Sequence, residues 1–472
     1  MLNTSGLLYL SSRAVSAAGN LLAVAIFSRM AGPAEYGHYV LIFAWSLIVY
    51  GFGAQWMRFA YFGVYHPDRF GEYVASLARL LVVGIAVVAV VLAALAVFGF
   101  FEPSFLIAVF GLVCGITVYE AAFEVARTLQ NARGASLAMI LRAALTVTFG
   151  STSLYLGGGA RGLALAIAVA HILAAAPALA TFSKIRLSHS SRAASMHIVS
   201  YGWPLLLSFG VTAVGQSIDR LLLAHYLGTA TLGPYGVVAD VLRQSFSVLG
   251  EAIILSLVTV AKQQSNIGQF DAAHKTLQKA FNACLAASTF GAAFFIVFGD
   301  VVLQAILQPE FIAPTRDLIP IFAIAFAFGT MRNFYFAQVI YFTNASYLEL
   351  VVSVLFLLVS TALAVMLVPV YGPHGAAIAL MVACIVACIA FMVLGRRWYR
   401  MPVDLTALGV MPSLAILFVF GARTMAELVP GHSLPLILDA VIFAGLSGYA
   451  IRHFGLLSLP QTEIVAQGAT VR

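Results

Sequence analysis

Residues Leu80–Phe98 read Leu-Leu-Val-Val-Gly-Ile-Ala-Val-Val-Ala-Val-Val-Leu-Ala-Ala-Leu-Ala-Val-Phe, without one charged or hydrogen-bonding side chain. As a helix this run is about 29 Å long, the thickness of a bilayer's hydrocarbon core. A membrane β-strand would instead show about ten residues of alternating polarity. In lipid every backbone polar group must be paired internally, and a helix does that within one segment. Val351–Val368, broken only by Ser353, Ser360 and Thr361, and Ala376–Leu394 are near-continuous apolar runs of similar length. The stretch is therefore a transmembrane helix, and the remaining question is how many there are.

The chain has 472 residues, 62% hydrophobic and 9% charged, against about 25% charged in an average soluble domain. Mean hydropathy is +0.99. Soluble globular, disordered, collagen-like and secreted disulfide-framework classes are excluded, and no nucleic-acid partner is expected. At about 20 residues per span the apolar content has room for about fourteen, and fourteen can be placed. The seventh is expected as one helix over Tyr201–Tyr226, and Gly299–Arg316 as the longest external loop. Cys114, Cys284, Cys384 and Cys388 lie inside apolar runs, where they read as packing residues rather than disulfide or zinc partners. No charge precedes Arg13, so the start does not resemble a cleavable leader.

Positive charge sets the orientation. With a cytoplasmic N-terminus, nineteen of the 25 basic residues fall on the inner side, among them Lys184, Arg186 and Arg472. Four fall outside (Arg29, Arg161, Arg316 and Arg423), and Arg220 and Arg243 stay within spans. Both termini are expected in the cytoplasm.

The chain repeats itself. Ser28-Arg-Met-Ala-Gly-Pro-Ala-Glu-Tyr-Gly-His-Tyr39 recurs 196 residues on, with Gly32, Ala34, Gly37 and Tyr39 falling on Gly228, Ala230, Gly233 and Tyr235. Gly159-Ala-Arg-Gly162 recurs as Gly372-Pro-His-Gly375, shifted by 213. The difference of 17 residues implies an insertion, placed in Gly299–Arg316. The expected architecture is an all-α polytopic membrane protein with two parallel six-helix halves, residues 1–195 and 196–400, around a central cavity. A helix pair over 401–455 and a cytoplasmic tail over 456–472 follow. Such repeats place a substrate path between the halves, with alternating access by rocking.

Charges within spans cost about 2.5–3.5 kcal/mol each on insertion scales, which makes them functional candidates. Asp219 and Arg220 on the seventh span and Asp240 and Arg243 on the eighth lie at similar depth, so cross-helix pairing is expected; Glu251 lies deeper. Glu120, Glu124 and Arg127 on the fourth span and Arg142 on the fifth form a second group. Glu120 and Glu124 share a helix face, and Arg127 and Arg142 are their expected partners. Both groups are open to a structural or a substrate-handling reading. Arg13 and Arg58 can also be read as basic chains reaching the headgroups. If spans one, two, seven and eight line the cavity, their arginines give it a positive field suited to a phosphate-bearing substrate. No phosphate loop, His-Glu-x-x-His or nucleophile elbow is present, so no catalytic residue, metal or cofactor is expected.

These motifs carry a resemblance. The Arg13-bearing first helix, the Ser28–Tyr39 stretch, Asp219-Arg220 followed by Leu227-Gly228 and Leu232-Gly233-x-Tyr235, and Tyr371-Gly-x-x-Gly375 together resemble bacterial polysaccharide flippases. These form the polysaccharide transport family of the multidrug/oligosaccharidyl-lipid/polysaccharide (MOP) exporter superfamily. The resemblance implies flipping of an undecaprenyl-diphosphate-linked oligosaccharide across the bacterial inner membrane, for O-antigen, capsule or exopolysaccharide synthesis. It also implies membrane lipids, a polysaccharide polymerase and chain-length machinery as partners. By position Arg13, Arg58, Arg220, Arg243 and Arg332 match its substrate-binding arginines; Arg332 departs in lying beside Asn333 in a Phe-rich span. The rival readings are a peptidoglycan-precursor flippase, a multidrug cation antiporter of the same superfamily, and a membrane polymerase or acyltransferase.

Overall fold

The computed structural model describes residues 4–180, 182, 189–343, 347–428 and 433–456 of the chain. Lys184, Arg186, Arg472 and the tail from 457 onward lie outside them. The described residues are helical throughout, joined by short turns, with no strand among them.

The helices run α1 Thr4–Met30, α2 Pro33–Val64, α3 Phe70–Val97, α4 Pro103–Thr128, α5 Ala132–Tyr155 and α6 Gly159–Leu179. The seventh is in two pieces, α7a Arg192–Gly215 and α7b Ile218–Leu227. Then come α8 Thr229–Asn266, α9 Phe270–Ile306, α10 Arg316–Tyr341, α11 Tyr347–Tyr371, α12 Pro373–Gly395, α13 Leu405–Leu428 and α14 Ser433–His453. Among the described residues thirteen helices are long and apolar enough to cross a membrane. α1, 27 residues and about 40 Å long, is not among these thirteen. On α3 the valines 82, 83, 87, 90 and 91 are exposed, an apolar face suited to hydrocarbon.

The repeat seen in sequence is a repeat of packing. In the first half α1 packs on α5, α4 on α6 and α5 on α6; in the second, α7a packs on α11, α10 on α12 and α11 on α12. Gly159 and Gly372, matched by the 213-residue shift, enter α6 and α12 with φ of +58° and +57°. That left-handed backbone is one glycine adopts without a steric penalty. The helices α2 and α8, second in their halves, each carry a π-helical segment, Gly51–Gln55 and Ile254–Val258, a widened turn that redirects the side chains beyond it. The pair α13 and α14 packs against α9.

Two expectations are corrected. The seventh span is not continuous: α7a ends at Gly215, and the polar Gln216 and Ser217 interrupt the apolar run before α7b restarts at Ile218. Asp219 thereby falls in the first turn of a helix, where the backbone dipole favours an acid. Nor is Gly299–Arg316 an open loop. α9 continues to Ile306, and Pro309–Ile312 forms a further helical turn that buries Phe311 and Ile312. Apolar residues in a membrane-edge connection fold down whenever a packed surface lies in reach.

The halves meet along α2, whose upper part packs on α8 and whose lower part packs on α7a, with α1 also against α8. At the α2–α8 crossing the repeat-related glycines face each other. A Cβ on Gly37 would run into the carbonyl oxygen of Thr229, and one on Gly233 into that of Pro33. Glycine lets two helix backbones touch where any side chain would hold them apart. On the same side, called distal here, the Arg29 guanidinium donates to the carbonyls of Ala305 (3.0 Å) and Ile306 (3.2 Å) at the end of α9. Gln308 returns a bond to the Arg29 carbonyl (3.3 Å), and Tyr36 packs edge-on against Phe311.

Candidate functional site

A cavity of about 640 Å³ lies between the halves, walled by α1, α2, α4 and α5 on one side and by α8 on the other. Its charged lining is Arg13, Arg58, Arg127 and Arg142 against Glu120, Glu124 and Glu251. Helical spacing brings these residues to one surface. Glu120, Glu124 and Arg127 follow at intervals of four and three on α4, while Gln244 and Glu251 lie seven apart on α8.

The charges are organised in pairs. Arg13 on α1 meets Glu251 on α8, an ion pair that crosses between the halves. Arg58 on α2 meets Glu120 and has Glu124 at 3.8 Å. Arg127 binds Glu124 through Nε (3.1 Å) and Nη2 (2.5 Å). Arg142 does not take the place expected for it beside the glutamates. From α5 its Nη2 donates to the Ser16 hydroxyl on α1 (3.1 Å), and its guanidinium lies 5.4 Å from the centre of the Tyr119 ring. The glutamates are already taken: Arg58, reaching from α2, occupies Glu120, and Arg127 occupies Glu124.

The five arginines expected to bind substrate do not share one place. Arg13 and Arg58 line the cavity. Arg220 and Arg243 form a separate cluster with Asp219 and Asp240, as their common depth led us to expect. Arg220 grips Asp240 with both terminal nitrogens (2.6 and 3.4 Å), Arg243 joins the same carboxylate, and Tyr235 donates to Asp219 (2.7 Å). Asp219 and Arg220 are 4% and 3% exposed, which leaves Arg220 closed to a bulky ligand in this conformation. Arg332 is in a third place, buried between Phe356 and Phe391 with Glu349 and Ser353 each at 3.4 Å.

The two side-chain amides of the cavity, Asn20 and Gln244, escaped the sequence reading. Each had a signal: Asn20 lies two turns after Arg13 on α1, and Gln244 one turn after Asp240 on α8. A second cavity, about 630 Å³, lies between α9, α10, α12 and α13, lined by Phe281, Leu285, Phe328, Leu408 and Ile416, with Arg423 as its charged residue. Its walls suit hydrocarbon. Among the described residues no three His, Cys, Asp or Glu side chains gather in a group that could hold a metal ion.

No protein-family profile matches the chain, and no curated protein matches it in sequence. Solved structures match in shape. The lipid II flippase MurJ, in an inward closed conformation, superposes with a TM-score of 0.71 over 95% of this chain and 99% of its own, at 11% identity. An inward-facing multidrug-resistance MATE transporter of the MOP superfamily gives 0.59 over 81% and 94%, at 15% identity. A MOP superfamily transporter from Pyrococcus furiosus, whose binding pocket is described as reversed in polarity, gives 0.56 over 83% and 93%, at 17% identity. These neighbours are transporters and flippases. The chain is thus a multi-pass membrane protein with the fold of the MOP superfamily.

Proposed function

We propose that the protein flips a lipid-linked oligosaccharide, carried on an undecaprenyl diphosphate anchor, across the bacterial inner membrane by alternating access. The observation that carries this reading is the cavity between the halves, where four arginines stand against three glutamates. A pocket with a surplus of guanidinium favours phosphate, which accepts its forked hydrogen bonds. It disfavours the organic cations of a drug antiporter. Neutral amides at Asn20 and Gln244 supply donors and acceptors of the kind sugar hydroxyls use.

The ion pairs suggest how binding couples to motion. A diphosphate entering the cavity competes with Glu251 for Arg13 and with Glu120 for Arg58. Because Arg13 and Glu251 sit on opposite halves, releasing that pair removes one tie between them. Rocking of the halves about the bound headgroup then exposes it on the other side. The distribution of basic residues supports a cytoplasmic side for both termini, and a polysaccharide polymerase and chain-length proteins would be the partners of such an activity. A peptidoglycan-precursor flippase is the second reading, favoured by the length of the MurJ superposition relative to the MATE ones.

Reconstitution tests the proposal. Liposomes carrying the protein and a labelled, diphosphate-linked lipid oligosaccharide should show protein-dependent loss of leaflet asymmetry, while a neutral lipid-linked sugar stays put. Equal movement of lipid II in the same liposomes would favour the second reading. Movement of a small organic cation, with neither lipid transported, would overturn both.

A further inference from the structure

Three of the four cavity arginines are committed. Arg13 is held by Glu251, Arg58 by Glu120 with Glu124 near, and Arg127 by Glu124. Arg142 has no carboxylate within 4.0 Å among the described residues; its contacts are the Ser16 hydroxyl and the Tyr119 ring. Its Nε is buried without a hydrogen-bond partner. An arginine keeps its proton under any physiological condition, so Arg142 holds a full positive charge with no carboxylate in direct contact. Uncompensated charge at membrane depth is costly unless it has work to do. Tyr119 and Ser16 fix the guanidinium from one side, with part of its donor fork unused.

We propose that Arg142 is the primary anchor for the substrate's phosphoryl group. An incoming anion needs to displace no carboxylate there, whereas at Arg13, Arg58 or Arg127 it must first compete with a glutamate. The anion docks at Arg142 on α5, and exchange at Arg58 and Arg13 follows. This rests on the cavity being the anion site, and the same chemistry describes a polyprenyl diphosphate headgroup or free pyrophosphate.

The test is equilibrium binding to the full-length protein in detergent, using farnesyl diphosphate, inorganic pyrophosphate and uncharged farnesol as probes. Arg142→Gln should weaken farnesyl diphosphate binding by about tenfold or more, the scale of one charge-assisted hydrogen bond. Arg142→Lys, which keeps the charge and loses the fork, should fall between. Glu120→Gln should change affinity the other way, because it frees Arg58 and adds one net positive charge. Binding of uncharged farnesol should be equal in the wild type and Arg142→Gln, whereas loss of a residue that only props the wall would move it too. Pyrophosphate binding that tracks farnesyl diphosphate across the variants supports the same anchor and makes the free anion sufficient; farnesyl diphosphate binding alone supports it with the lipid required. If Arg142→Gln elutes and melts like the wild type yet binds within about twofold of it, the assignment is overturned while the anion reading stands. If the wild type binds neither phosphorylated probe, the anion reading falls and Arg142 with it.

Discussion

Arg220 and Asp240 illustrate how much depends on one buried pair. Arg220 is 3% exposed and puts both terminal nitrogens on the Asp240 carboxylate. Removing one partner of such a pair leaves a buried charge, at a cost of about 3–5 kcal/mol, whereas replacing both by apolar groups of similar volume is often neutral. Arg220→Ala should therefore lower the thermal midpoint in detergent substantially, and Arg220→Met with Asp240→Leu and Arg243→Met, which leaves no partner of the shared carboxylate stranded, should recover much of the loss. A triple variant as unstable as the single one would show that Arg220 matters through Asp219 instead. The sequence revealed this pair because adjacent helices in a chain of known direction fix relative depth. It did not reveal where Arg142 points. Depth follows from counting residues, but the rotation of α5 about its axis depends on which face is apolar, and Ala132–Tyr155 carries small and polar residues on every face. The family resemblance groups Arg332 with the cavity arginines by position, and position along a helix does not show that its guanidinium lies beside the rings of Phe356 and Phe391.

Among elements, the crossing of α2 and α8 is the most exacting. Gly37 and Gly233 each lie against the carbonyl of the opposite helix, so even a methyl group must push two backbones apart. Gly37→Ala and Gly233→Ala should each reduce the folded yield and the thermal midpoint. Gly409→Ala, in α13 with nothing within 4 Å of its added Cβ, should leave stability unchanged or raise it by up to about 1 kcal/mol through helix propensity. Thermal unfolding of the three variants side by side separates the two mechanisms. The glycines were legible in sequence as a repeat, but their facing one another was not, because a repeat gives equivalence and not contact. The break in α7 was marked by Gly215-Gln216-Ser217, three residues that an averaged hydropathy window smooths over.

At the scale of the molecule, the number of spans and the doubling of the bundle were legible because a bilayer fixes helix length and a duplication preserves spacing. The direction of insertion rests on charge. Arg161 at the start of α6 and Arg396 at the end of α12 are both exposed and should lie on opposite faces of the membrane. Arg161→Cys should react with an impermeant maleimide in intact cells, and Arg396→Cys only in inverted vesicles. The four native cysteines, buried or half-buried, give little background. Reaction in the reverse sense would invert the topology and put the cavity's basic surplus on the wrong side for a cytoplasmic substrate.

The glycine crossing also has an electrical consequence. Gly233 lies eighteen residues along α8 from Glu251, about 27 Å at helical rise, and the seam it makes with Gly37 is backbone against backbone. A file of water molecules needs a bore wider than that contact, so no chain of hydrogen bonds passes through the seam to relay a proton. A transporter for a large anionic headgroup must open widely without discharging the membrane it sits in. A seal made of two glycines meets that requirement at this point with no side chain to rearrange.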